Sequence, residues 1–307
     1  MNIATALIAF VLSLVMSQVA HARIERFPSE MRVHKIQTEG ATIHVRVGGH
    51  GPAVVMLHGF GDTGDMWAPL AKALIKDHTV IVPDLRGMGY SSYPDTGYDK
   101  KTQGIDIATV MDKLKVQRAA LVTHDIGNMV GYALAAQNPD RITKWVVIDA
   151  PLPGIGSWDE ILKSPLLWHF NFRGPDMDRL VKGRERIYLD RFWNELSADP
   201  KAIDEATRRH YAKIYARPGA MHAAFEQFAT FNTKDVADNK AFQAKGKLTF
   251  PILALGAEKS FGDQQAAVMR EVGTNVEGGI IAKSGHWIME EQPDQTVRLI
   301  RAFLDRT

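Results

Sequence analysis

The chain has 307 residues, of which 45% are hydrophobic and 23% charged, a balance that excludes a disordered tail or a collagen-like repeat. Thirty-seven Lys+Arg stand against 35 Asp+Glu, so the net charge is +2 and the electrostatic footprint of a nucleic-acid-binding protein is missing. With no cysteine, disulfide frameworks, thiolate zinc sites and cysteine nucleophiles are excluded as well.

Residues 3–15 (IATALIAFVLSLV) form an apolar run that ends in Ala20-His21-Ala22 before Arg23. A short apolar stretch closing on A-x-A predicts a signal peptide over residues 1–22, cut after Ala22, and a mature protein in the periplasm or the medium. No later stretch reaches the roughly 18 apolar residues of a membrane helix, so no membrane partner is expected after cleavage.

Residues 42–47 (TIHVRV) alternate like a half-exposed strand, whereas 53–57 (AVVML), 79–82 (TVIV), 119–122 (AALV), 145–148 (WVVI) and 252–255 (ILAL) are continuous apolar runs. Such runs predict strands covered on both faces. Helical spacing between them, as in Ile105, Val110 and Leu114 or in Val297, Ile300 and Leu304, predicts an α/β fold with a doubly wound, mostly parallel sheet. The alternation stops over 151–246, which is rich in aromatics and Arg at helical spacing. The expected division is therefore a core from 23–150 and 247–307 with a helical cap inserted at 151–246.

Three motifs carry chemistry. In 119–131 (AALVTHDIGNMVG) a buried strand runs into Thr123-His124-Asp125-Ile126-Gly127 and then a helix start. So sharp a strand-to-helix turn needs small residues two before and two after its apex, and it exposes the apex side chain, here Asp125, at the top of the sheet. A carboxylate there can displace a leaving group from saturated carbon and leave an ester that water hydrolyses, whereas a serine would leave an inert ether. The bland reading of Asp125 is a helix cap. The second motif, Leu57-His58-Gly59-Phe60-Gly61, turns a backbone N–H toward the elbow, so the N–H groups of Phe60 and Ile126 are the candidate oxyanion hole. The third, Ser284-Gly285-His286-Trp287, supplies His286 as the base that activates water. Asp149, at the end of the strand WVVI, is the first candidate for its acid, with Glu258 and Asp263 as alternatives. The eleven histidines are scattered without ligand spacing, so neither a metal nor a cofactor is expected.

At these residues the chain resembles the α/β-hydrolase superfamily in its epoxide hydrolase and dehalogenase branch. Within it the chain is most similar to the secreted bacterial epoxide hydrolases of the Cif type, through HGFG at 58–61, HDIG at 124–127, DAPLP at 149–153, WHFNF at 168–172, YARPG at 215–219 and GHW at 285–287. The resemblance implies an α/β-hydrolase fold, Asp125 as nucleophile, His286 as base, Asp149 as its acid where the Cif type has a glutamate, and His169 in the cap as a donor to the epoxide oxygen. Haloalkane dehalogenases commonly carry Trp, and fluoroacetate dehalogenases Arg, just after the nucleophile; Ile126 here weakens halide chemistry. Against that, the second ring-opening donor of the family is a tyrosine whose place Phe228 takes in 225–231 (FEQFATF), leaving Gln227, Tyr188, Tyr211, Tyr215 and His222 as conceivable substitutes. Trp168, Phe228 and Tyr215 are expected around a substrate pocket for a small apolar epoxide or halogenated molecule. A haloacid or haloalkane dehalogenase and a non-catalytic binding protein stand as alternatives, and a homodimer is an open assembly state.

Overall fold

A computed structural model describes residues 24–306; the leader expected at 1–22 lies outside them. The strands are β1 (Arg32–Thr38), β2 (Ala41–Gly49), β3 (Ala53–Leu57), β4 (Thr79–Pro83), β5 (Ala119–His124), β6 (Ile142–Ile148), β7 (Ile252–Ala257) and β8 (Val276–Ile281). They form one sheet in the order β1-β2-β4-β3-β5-β6-β7-β8. Pairing is antiparallel at β1–β2 and β2–β4 and parallel from β4 through to β8.

Every residue of β5 and of β7 is buried, because helices cover both faces of the sheet. The side-chain alternation of a strand then feeds two separate cores. Val55, Leu57, Leu121 and Val147 point into one, against α2 (Lys100–Lys113) and α3 (Ile126–Gln137). Val54, Met56, Val122 and Val146 point into the other, against α1 (Ala68–Leu74) and the C-terminal helix Pro293–Leu304. In α2 the buried stripe is Ile107, Val110 and Met111, and Ile105 lies on the outer face at 45% exposure, so the face expected from Ile105, Val110 and Leu114 is rotated.

Two strands escaped the sequence reading. Most residues of β1 and half of those in β8 are exposed. An edge strand pairs on one side only and need not bury both faces, so no continuous apolar run marks it.

Between β6 and β7 the described residues form no strand. They fold into α4 (Trp158–Ile161), α5 (Pro175–Val181), α6 (Glu185–Glu195), α7 (Glu205–Tyr215), α8 (Ala220–Ala229) and α9 (Val236–Gln243). The core then resumes with α10 (Gln264–Val272), α11 (Ile288–Glu291) and α12 (Pro293–Leu304). Core and cap interlock through Phe60, whose ring meets Phe192 and Phe228 at 5.0 Å and Tyr215 at 5.6 Å, edge to face.

Candidate active site

The carboxyl ends of β3, β5 and β6, together with the loop after β8, converge beneath the cap. At the end of β5 the chain turns into α3 through Asp125, whose φ of 51° and ψ of −123° lie outside the ordinary regions for a side-chain-bearing residue. Such strain is retained only where the surroundings over-determine it. Here Gly127 is the reason the turn fits: a Cβ on it would lie 2.3 Å from the Leu57 carbonyl oxygen and 2.8 Å from that of His58. Both atoms are backbone and neither can step aside, so Gly127→Ala is expected to lower stability by about 1–3 kcal/mol, read as a lower melting temperature.

The Asp125 carboxylate is held asymmetrically. Its Oδ1 accepts the Phe60 N–H at 2.8 Å, and the Ile126 N–H adjoining the carboxylate also favours its charged form. Its Oδ2 lies 3.7 Å from His286 Nε2. Burial opposes the charge, but His286, His124 and the two backbone N–H groups outweigh it and hold Asp125 below the usual carboxylate range. Asp125 does not cap α3 with its side chain, so the bland helix-cap reading does not account for it.

His286 Nδ1 lies 3.0 Å from Asp149 Oδ2. The other oxygen of Asp149 accepts the N–H groups of Ala257 and Phe261, at 2.7 and 3.0 Å. Those donors come from the last residue of β7 and the loop after it, which no residue pattern marked in advance. Glu258 is exposed and accepts the Lys283 N–H, and Asp263 is exposed at the start of α10; neither meets the imidazole. Burial disfavours the His286 cation, but the Asp149 hydrogen bond and the Asp125 charge prevail and raise its pKa above the ordinary value. His124, also unforeseen, is buried and donates Nε2–H to the His286 carbonyl oxygen at 2.9 Å. Its pKa is pushed down to about 4 by burial, with His286 adding to the effect, so it stays neutral.

A cavity of about 630 Å³ opens above this group. Asp125, His286 and His169 line its polar end, and its walls include Met129, Ile161, Leu166, Leu167, Phe170, Leu196 and Phe261. Burial pushes His169 down to about 4, with the nearby Asp125 charge working the other way, so it faces the cavity as a neutral donor.

The three residues expected around the pocket do not line this cavity. Trp168 packs under the Arg191 guanidinium, 4.1 Å from its ring centroid. Phe228 is buried beside His169 and Phe60, each 5.0 Å away between ring centroids. The Tyr215 hydroxyl accepts the Gly61 N–H at 2.9 Å and donates to the Asp62 carbonyl at 3.0 Å, which pins the turn carrying Phe60. Aromatic content therefore marked the cap core, while the cavity wall mixes aliphatic side chains with polar ones such as Ser157, Glu160, Lys259 and Gln264.

The conceivable substitutes for the missing tyrosine are engaged elsewhere or set back from the cavity. Gln227 is buried between Arg86 and Gln103, Tyr211 donates to Glu290, and His222 pairs with Asp178 at the surface. The Tyr188 hydroxyl is buried without a hydrogen-bond partner among the described residues, off the cavity wall. No group of His, Asp or Glu suited to a metal ion occurs among the described residues.

Comparison with known proteins agrees with this fold. Residues 52–293 match the family model described as alpha/beta hydrolase fold. A soluble epoxide hydrolase of Corynebacterium sp. (strain C12) is 31% identical over 86% of this chain and 94% of its own. A fluoroacetate dehalogenase of Burkholderia sp. is 27% identical over 86% and 90%. Among solved structures, wild-type Cfl2 from Burkholderia cenocepacia superposes with a TM-score of 0.83 at 30% identity, over 89% of this chain and 95% of that one. The epoxide hydrolase CorEH without ligand gives 0.82 at 28%, over 90% and 99%.

Proposed function

The chain belongs to the alpha/beta hydrolase fold family and is an epoxide hydrolase-like enzyme, and from that premise we propose that it opens a small apolar epoxide to a diol through an ester on Asp125. The observation that carries the reading is the Asp125 carboxylate itself, one oxygen seated on the Phe60 N–H and the other turned toward His286.

In the first half-reaction Asp125 Oδ2 attacks a ring carbon. The C–O bond of the epoxide breaks, and its electron pair stays on oxygen. The neutral His169 donates a hydrogen bond to that oxygen, which takes its proton from water. The single histidine donor sets a limit: by analogy with oxyanion-hole groups, lacking a second donor slows this step roughly 10²–10³-fold.

In the second half-reaction Oδ1, already on the backbone N–H, is the carbonyl oxygen of the ester. Water adds to Cγ as His286 takes its proton, and negative charge builds on Oδ1, where the N–H groups of Phe60 and Ile126 meet it. The Cγ–Oδ2 bond then breaks, the diol leaves with the proton from His286, and the proton remaining on the Asp125 carboxyl neutralises the hydroxide left by the first half-reaction, which restores the carboxylate. A single turnover in H₂¹⁸O should accordingly place the label in the Asp125 peptide rather than in the diol; label in the diol alone refutes the ester route.

The pH dependence has a defined sign. Asp125 charge raises the His286 pKa, and ester formation removes that charge, so alkylation lowers the pKa of its own base. His286 must be neutral to accept a proton, and hydrolysis is lost as pH falls through its pKa. We expect the acid limb of ester hydrolysis to lie below the His286 pKa titrated by NMR in the resting enzyme, itself above about 6.5. Coincidence of the two values would remove Asp125 from the account. His169, at about 4, adds no limb near neutrality.

Similarity to a fluoroacetate dehalogenase favours halide release as the second reading. Ile126 is buried and offers no side-chain donor to a halide, so halide measured beside diol separates the two. Export follows from the apolar leader, and the mature protein should begin at Arg23 on N-terminal sequencing; an intact Met1 in the periplasmic or culture fraction would contradict it.

A further inference from the structure

The geometry points to Glu291 as a positioning residue that clamps the loop bearing His286 onto the cap segment 196–199, so that the second half-reaction depends on how the cap sits. The inference rests on the ester mechanism and goes beyond it.

Glu291 ends α11 and does not itself line the cavity, yet its carboxylate gathers three backbone donors from two separate segments. Oε1 accepts the Gly285 N–H at 2.9 Å, next to the base. Oε2 accepts the N–H groups of Ala198 and Asp199, at 2.8 and 3.2 Å, just past the end of α6. The same two segments are joined directly, since the His286 N–H donates to the Leu196 carbonyl at 2.8 Å and the Trp287 indole to the Phe192 carbonyl at 3.3 Å. They also press together: a Cβ on Gly285 would lie 2.3 Å from the Leu196 oxygen and 2.5 Å from the Ala198 nitrogen. Glu195 and Leu196 line the cavity. One short stretch of cap therefore forms substrate wall on one side and a seat for the base loop on the other.

A carboxylate suits this place because both of its oxygens only accept. The amide of a glutamine would turn an NH₂ toward N–H donors at one end and release either Gly285 or the Ala198–Asp199 pair. Loosening the seat should misplace His286 relative to the ester while leaving Asp125, fixed at its elbow by Phe60 and Ile126, able to attack.

Glu291→Gln is tested by rapid quench with styrene oxide, following ester formation and ester decay separately. Decay should slow roughly 10–100-fold, the range for ångström-scale misplacement of a reacting group, with formation changed less than about threefold and the ester accumulating. The acid limb of decay should also move to lower pH, because Glu291, alongside Asp149 and Asp125, favours the His286 cation; Glu290, His124 and His169 are further titratable groups that interact with the ring. Gly285→Ala pushes the loop off the cap without touching a charge. It should slow decay likewise and leave the limb where it was. Equal slowing of both steps, or wild-type decay in both variants, overturns the clamp. In the unaltered protein, amide exchange at Gly285, Ala198 and Asp199 should show common protection; a rapidly exchanging Ala198 beside a protected Gly285 overturns it without any variant. If the wild-type enzyme forms no ester at all, the proposed reaction fails instead, and the exchange measurement still judges the clamp.

Discussion

Asp125→Ala should abolish turnover and leave no covalent adduct on the chain after incubation with any epoxide. Removing the nucleophile removes the route, because water attacking the epoxide directly has neither a placed carbon nor an activated oxygen at this site. Losses on the order of 10⁴-fold or more accompany deletion of a nucleophile that works as part of a unit. The loss should come without unfolding. Asp125 makes no side-chain cap to α3, and its hydrogen bonds on the protein side are to backbone N–H groups at the edge of a cavity that water can enter. The readouts are diol formation, intact-protein mass after a single turnover, and the melting temperature. An Asp125→Ala enzyme that retains activity ends the carboxylate mechanism.

His286→Gln should give the opposite mass result. Alkylation needs no base, so the adduct forms, and it persists because no group removes a proton from the hydrolytic water. General-base catalysis contributes roughly 10²–10⁴-fold, so the ester should outlive that of the wild type by a comparable factor. Glutamine keeps a polar side chain against Asp149, which retains the N–H groups of Ala257 and Phe261. The buried carboxylate is then not left bare. Loss of adduct in both variants would mean that His286 serves the first half-reaction; rapid clearance in His286→Gln would mean that another group activates water.

The position of the site was legible in the sequence to an unusual degree. Asp125, Phe60, Ile126, His286 and Asp149 each follow a strand or a sharp turn whose residues are constrained by backbone geometry. Gly127 has no room for a side chain against the Leu57 carbonyl, and a continuous apolar run such as 119–122 has no alternative to burial on both faces. The sequence put Asp149 first, from its place at a strand end, but did not remove Glu258 and Asp263. All three sit near the ends of neighbouring strands, and the choice rests on which carboxylate the loop after β7 surrounds with N–H groups.

The pocket was the least legible part. Aromatic residues in the cap drew attention to Trp168, Phe228 and Tyr215, yet large flat rings pack best against one another, and these do, around Phe60. The cavity wall is left to a mixture of aliphatic and polar side chains, such as Ile161, Leu167, Ser157 and Gln264, from separate segments that carry no common pattern. Sequence alone thus determined the fold class, the elbow and the likeness to epoxide hydrolases, because backbone sterics and strand burial are local and leave marks on neighbouring residues. The exclusion of Glu258 and Asp263, the cavity wall and the tie from Glu291 to the cap were decided by the tertiary structure, since each depends on segments tens of residues apart meeting in space.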